Sequence, residues 1–281
     1  MGSVYAIIAL GYTMVYGIAK MLNFAHGDII MVGAYVAFFA ISKFAQNQFV
    51  ALLAAILICT LLGVVVERLA YKPLRQATSL SVLITAIGVS YFLENLAQIL
   101  WGTDTKIFPS YFANSSFKLF DGQLSISYLT LITILACIVI MSVLTLFINK
   151  TLTGKAMRAC AEDKDAATLM GINVDNIISI TFAIGSGLAA VASVLLCSAY
   201  PAVYPVLGSM PGIKAFTAAV FGGIGSIPGA LLGGLMLGII ETFTKAYIST
   251  QLSDAIVFAF LIIVLLIKPT GLLGKKVREK V

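Results

Sequence analysis

The sequence predicts an all-α membrane protein, a polytopic bundle of about eight transmembrane helices with broken or re-entrant segments. Three observations carry that prediction. Of 281 residues, 60% are hydrophobic and 11% charged, with a mean hydropathy of +1.04, more apolar surface than a water-solvated fold can hide. The apolar runs are about 15 to 25 residues long, unlike the alternating strands of about ten residues in an outer-membrane barrel. Backbone in lipid must satisfy its own hydrogen bonds, so runs of that length read as helices.

Taken in order, the apolar spans cover 3–19, 29–41, 49–66, 80–101, 128–148, 177–200, 213–223, 227–243 and 255–267. Spans 29–41 and 213–223 fall short of the roughly 20 residues that a full crossing needs, so they are expected to be broken or re-entrant and shielded by protein. No cleavable signal peptide is read, because Met1 runs straight into an apolar segment without a basic n-region.

Basic residues set the orientation. Arg68, Lys72 and Arg75 fall in one loop, Lys150, Lys155, Arg158 and Lys164 in a second, and Lys268, Lys275, Lys276, Arg278 and Lys280 in the tail. Counting spans puts all three on one face, which the positive-inside rule makes cytoplasmic, and puts the N-terminus outside. The opposite loops carry only Lys43, Lys106 and Lys118 with Asp104 and Asp121, and Lys245. The net charge of +6 is therefore a topology signal, and no nucleic-acid partner is expected. Cys59, Cys137 and Cys197 lie in apolar runs and Cys160 in the second basic stretch, without CxxC spacing, so they read as small buried residues rather than metal ligands.

Residues 150–175 form the one long charged segment between apolar spans, with Lys155, Arg158, Glu162, Asp163, Lys164 and Asp165 clustered. Thr153 is expected to cap a short helix on which Arg158 and Glu162 are i,i+4, and Gly171 to end a following turn over 165–170. Ala156, Ala159, Ala161, Ala166 and Ala167 leave a narrow surface suited to a groove on another protein; a solvated amphipathic loop is the alternative.

Polar residues at membrane depth are costly and so are candidates for function. The only histidine, His26, lies beside Asp28 in Asn23-Phe-Ala-His-Gly-Asp28. A gate, a polar turn lining a path, and a proton relay all fit it, as does a satisfied turn at the cytoplasmic interface near Lys20; a relay would draw on Glu94 and Glu241. Glu94 with Asn95 and Gln98, and Glu67 paired with Arg68, read as structural. Asn23 to Gly27 and Gly225 to Gly229 each put a helix-interrupting turn before a small-residue helix, a weak internal echo of the interrupted helices near transporter substrate paths. Gly222, Gly223, Gly225 and Pro228 join Asn23, His26, Gly27 and Asp28 as candidate lining. Gly229, Gly233, Gly234 and Gly238 form small-residue faces for close helix packing. No zinc spacing, nucleophile elbow or P-loop GxxxxGK[ST] is present, so any ATP must bind elsewhere.

Asp165-Ala166-Ala167-Thr-Leu-Met-Gly171 resembles the E-A-A-x-x-x-G loop of ABC importer permeases, with Asp for Glu and no later I-x-L-P. Residues 11–38 (GYTMVYGIAKMLNFAHGDIIMVGAYVAF), 154–173 (GKAMRACAEDKDAATLMGIN) and 219–241 (AVFGGIGSIPGALLGGLMLGIIE) resemble the branched-chain amino acid ABC permeases of the LivH type, in order and over almost the whole chain. The family usually carries more residues before the equivalent of Gly2, so the first helix looks clipped. The resemblance implies a single permease domain, 1–281, in a bacterial inner membrane, with a cytoplasmic coupling loop at about 150–175. It implies contact with an ATPase through Lys155, Arg158, Glu162, Asp165, Ala166, Ala167 and Gly171. It also implies a second, LivM-like permease, two cytoplasmic ATPases that hold ATP and Mg2+, and a periplasmic binding protein. Leucine, isoleucine and valine are the expected cargo, moved by alternating access, with no catalytic residue, cofactor or metal on this chain. The rivals are a related permease for urea, amides or other amino acids, a proton-coupled secondary transporter, and an intramembrane enzyme or passive channel.

Overall fold

The computed structural model describes residues 1–45, 47–109, 116–119 and 124–274. Eleven α-helices are described, nine of them apolar, and two pairs of short strands. In order they are α1 Gly2–Ala19, α2 His26–Ala40, α3 Gln48–Val66, α4 Ser79–Trp101, α5 Tyr128–Lys150, α6 Leu152–Glu162, α7 Lys164–Leu169, α8 Val174–Ala199, α9 Ser209–Gly222, α10 Ile227–Tyr247 and α11 Ser253–Ile267. Six helical runs are long and apolar enough to cross a membrane: α1, α4, α5, α8, α10 and the 27-residue Gln48–Leu74. That last run is α3 extended by a π turn, Glu67–Tyr71, and a 3-10 turn, Lys72–Leu74, so Arg68 and Lys72 sit on helix rather than in the expected loop. Strand β1 (Lys106–Ile107) pairs with β4 (Ala202–Val203), and β2 (Ser116–Leu119) with β3 (Leu124–Ser127), both antiparallel.

Local chemistry marks the helix starts. Asn47, Thr78, Ser127, Asn173 and Ser226 each accept a hydrogen bond from a backbone N–H in the first turn of the helix that follows, answering donors that the helix leaves open. Pro228 falls in the first turn of α10, where a missing N–H costs nothing.

Helix α1 is apolar all round and buried nearly all round, which marks it as the core of the bundle. Helices α8, α9 and α10 pack on it. The glycine faces permit this: Gly238 meets Gly2, Gly234 meets Ala6, Gly233 meets Ala218 and Gly229 meets Gly222, backbone against backbone. Helices α4 and α5 are largely exposed, with outward residues such as Leu135, Val143, Ile84 and Phe92 that suit lipid or a second apolar chain.

Helix α1 also serves as a ruler of depth. Gly2 lies against α10 at one end, Gly11 against His26 and Gly185 at mid-height, and Gly17 against Gly225 near the other end. Lys20 closes α1 in a left-handed conformation, φ 59°. The chain then doubles back through residues 21–25, so α2 starts halfway up the bundle. Helix α9 starts beside it: a Cβ built on Gly27 would lie 2.7 Å from the carbonyl oxygen of Gly208. The two spans that are short in the sequence are thus interrupted elements whose N-termini meet inside the protein; a π turn, Ile41–Ala45, carries α2 (15 residues) on by 5 more, whereas α9 has 14.

Candidate functional site

The charged segment forms a helical hairpin at one end of the bundle. Thr151, not Thr153, caps α6, accepting from Gly154 N at 3.0 Å. The helix begins two residues before expectation because Gly154 must fit flush against the backbone of Phe147 and Ile148 at the end of α5. Asp163 caps α7, accepting from Asp165 N and Ala166 N at 3.0 Å each. Gly171 ends α7 with φ 81°. Its N–H reaches Thr168 O and the Ile172 N–H reaches Ala167 O, both at 3.0 Å; this double closure needs a residue tolerant of positive φ at the glycine.

Inward, Met157, Cys160 and Ala167 are buried, and Lys164 donates from Nζ to Ala19 O at 2.7 Å. Burial, then the neighbouring Arg75 and Lys20 charges, hold the Lys164 pKa below the ordinary lysine value. Outward, Lys155, Arg158, Glu162, Asp165, Ala166 and Gly171 are exposed. Of the alanines expected to form a docking surface, only Ala166 is open; Ala167 is buried and Ala156, Ala159 and Ala161 pack partly against the core. The free apolar surface comes instead from Leu169 and Met170, 89% and 83% exposed, in the turn that Gly171 closes. Glu67 bonds Arg75 and Ser179 rather than Arg68, and Arg75 and Lys72 both bind Asp175. Lys72, Arg75 and Lys164 therefore share one end of the bundle, whereas Lys275, Lys276, Arg278 and Lys280 lie outside the described residues.

The second place is the interior where α2 and α9 begin. His26 is buried at mid-height, its Nε2 in the space that Gly11 leaves open and its ring edge-on to Tyr12, centroids 4.6 Å apart. The interface turn weighed for it is thus replaced by a packed interior position. Asn23 accepts from Tyr71 Oη at 2.9 Å through Oδ1. Asn23 also lines a narrow cavity of about 10 Å3 with Tyr12, Tyr16, Phe216 and Ile224. Asp28, two positions on from His26 and so on a different side of α2, is buried, with its Oδ2 lacking a hydrogen-bond partner among the described residues. Glu94, one turn beyond Ser90 on α4, accepts from Ser209 Oγ at 2.6 Å.

The two expected lining clusters are not brought together as one surface. His26, Gly27 and Asp28 meet Gly208 and Gly212, whereas Gly222, Gly223, Gly225 and Pro228 sit at the far end of α9. There Gly222 packs on Gly229, Gly223 (φ 104°) packs on Gly274, and Gly225 and Pro228 are exposed. Asn23 and Ile224, the latter between Gly223 and Gly225, share the lining of the narrow cavity. Ser90, Ser209 and Gly208 escape a reading of the sequence; the signal available was Gly208-Ser-Met-Pro-Gly212, a second interrupted start ahead of the other short span. Glu241, considered for a relay, binds Lys214 at 2.8 Å and Lys245 at 2.6 Å, while Lys214 also binds Asp254 at 2.6 Å, a paired network on the far side of α1 from the hairpin.

Comparison with known proteins gives one family. Residues 1–265 match the branched-chain amino acid transport system / permease component family. The high-affinity branched-chain amino acid transport system permease protein BraD of Pseudomonas aeruginosa is 46% identical over 291 residues, covering 100% of this chain and 94% of the relative. LivH of Escherichia coli K12, which carries the same description, is 45% identical with the same coverage. A probable branched-chain amino acid transport permease protein of Methanocaldococcus jannaschii is 30% identical over 285 residues, covering 95% of this chain and 88% of that one. No solved structure matches the chain.

Proposed function

From the premise that this chain belongs to the branched-chain amino acid transport permease family, we propose that it is the membrane-spanning subunit of a binding-protein-dependent ABC importer for leucine, isoleucine and valine. It works in a bacterial inner membrane with a second, LivM-like permease, two cytoplasmic ATPases and a periplasmic binding protein. ATP and Mg2+ belong to the ATPases, and this chain contributes no catalytic group. The exposed apolar flanks of α4 and α5 suit the second permease.

The observation that carries the coupling role is the α6–α7 hairpin, rooted in the core by Met157, Cys160, Ala167 and Lys164 while Arg158, Ala166, Leu169 and Met170 face outward. Such an element can transmit force because its inner side is fixed and its outer side is free to dock in a groove. A push on α7 reaches α1 through the Lys164 bond, then residues 21–25, then α2. ATP-loaded and empty ATPases would hold this hairpin differently, and that difference drives the switch between outward and inward states. Asn23 to Asp28 then moves against the α9 start, and Gly222 to Pro228 moves as the lower hinge of the same half-helix. The excess of Lys and Arg makes the hairpin end cytoplasmic.

The test is ATP-driven uptake of radiolabelled L-leucine by the assembled complex with its cognate partners. Uptake that needs ATP and competes with isoleucine and valine is expected. Uptake of urea or an amide in place of leucine would move the cargo to a related class. Leucine uptake that persists without ATP and collapses with an uncoupler would replace the reading with proton coupling.

A further inference from the structure

We propose that Asp28, with Glu94, Ser90 and Ser209 around it, is the site that receives the cargo's ammonium group at mid-membrane. The inference rests on the importer reading and deepens it by assigning one end of the zwitterion to named residues. Three independent features converge. The first is an imbalance of charge. Asp28, Glu67 and Glu241 are the buried acids among the described residues. Glu67 is matched by Arg75, and Glu241 by Lys214 and Lys245. Asp28 has no basic partner among the described residues, nor has Glu94. An uncompensated carboxyl group at this depth is costly to ionise, and a visiting cation would favour its charged form.

The second feature is an open valence. Asp28 is 2% exposed, and its Oδ2 has no hydrogen-bond partner among the described residues. Helix α2 packs on α4, which carries Ser90 and Glu94 one turn apart. His26 does not answer the vacancy: two positions earlier on α2 it faces away from Asp28, toward Gly11 and Tyr12.

The third is placement. Gly27 and Gly208 bring the starts of α2 and α9 into backbone contact, so Asp28 and Ser209 fall side by side, and Ser209 is held by Glu94 at 2.6 Å. Ser90 and Glu94 are half-buried on the neighbouring α4. A primary ammonium brings three donors, and two carboxylates with two hydroxyls supply acceptors on several sides of it. Interrupted helices that meet in a bundle interior are where transporters hold cargo. A neutral amide or urea has no charge for such a pair of acids to meet.

The test uses the assembled transporter in proteoliposomes, with its binding protein and labelled L-leucine on the outer side and ATP on the ATPase side. Asp28→Asn is expected to lower leucine uptake about tenfold or more, the loss of one charge-assisted hydrogen bond, while the complex still hydrolyses ATP; Asp28→Glu restores part of the uptake. Glu94→Gln and Ser209→Ala are expected to lower it less, and they give the same readout should Asp28→Asn fail to assemble. Leucine uptake by Asp28→Asn at the wild-type rate overturns the assignment and leaves the importer reading intact. Uptake abolished by a protonophore at constant ATP also overturns it, making Asp28 a proton carrier. A wild-type complex that carries acetamide or urea but no leucine overturns both readings together.

Discussion

Lys164 donates its ammonium to the main-chain carbonyl of Ala19 at 2.7 Å, joining the first residue of α7 to the last residue of α1 across 145 positions of sequence. The acceptor is one of the carbonyls that a helix end leaves without an internal partner, and a cation is favoured there. Beyond Ala19 the chain turns at Lys20 and runs to His26 and Asp28, so this bond ties the hairpin to the segment that leads to the start of α2. Lys164→Ala removes a charged hydrogen bond of about 2 kcal/mol. The expected result is a complex that assembles and hydrolyses ATP but imports severalfold less leucine per ATP. An unchanged ratio of uptake to hydrolysis would detach the hairpin from α1.

Glu67 is fully buried at the end of the extended α3 and bonds Arg75 and Ser179. Arg75→Ala leaves that carboxylate buried without its cation, a loss of about 3–5 kcal/mol. Its unfolding midpoint in detergent should drop well below wild type, and adding Glu67→Gln should recover part of the loss. The Lys72–Asp175 pair is half exposed on both sides and contributes about 1 kcal/mol or less. Lys72→Ala should therefore leave the midpoint nearly unmoved.

Two glycine substitutions separate close packing from helix propensity. A Cβ at Gly27 would press to 2.7 Å from Gly208 O, and neither backbone can yield without moving a half-helix. Gly27→Ala should cut uptake sharply. Gly88, on the exposed side of α4, has nothing within 4 Å of a built Cβ. Gly88→Ala, on the stripe with Ile84 and Phe92 that suits the second permease, should leave the chain folded and lower uptake far less than Gly27→Ala. Equal effects from the two changes would mean that the α2–α9 contact is not a constraint on transport.

The fold was legible where its cause is local. Span lengths gave the helices, basic residues grouped Lys72, Arg75 and Lys164 at one end, and the charged stretch gave a short helix followed by a turn that Gly171 ends. The shortness of 29–41 and 213–223 pointed to broken or re-entrant elements, and α2 and α9 do start inside the protein, where Gly27 meets Gly208. What the sequence hid depends on distant partners. Ser209 meets Glu94 across 115 residues, and Arg75 meets Asp175 across 100, and no periodicity encodes either. The pairing of Glu67 with Arg68 failed because α3 continues as helix, which turns neighbours in sequence to different sides. Likewise the alanines of α6 suggest a free surface only when the neighbouring ends of α1, α5 and α8 are ignored. The free apolar surface falls on Leu169 and Met170, which local pattern would have assigned to a core.

The central claim is that a separate ATPase grips the outer side of this hairpin. Leu169 and Met170 expose apolar surface that the fold itself does not use, so Leu169→Glu with Met170→Glu should leave the permease folded. The decisive measurement is copurification of the cognate ATPase with the wild-type and doubly substituted permeases from the same membranes. The account predicts that the wild type retains the ATPase and that the substituted permease, with the wild-type unfolding midpoint, loses it together with ATP-driven leucine uptake. Retention of the ATPase at wild-type stoichiometry by the doubly substituted chain would contradict it.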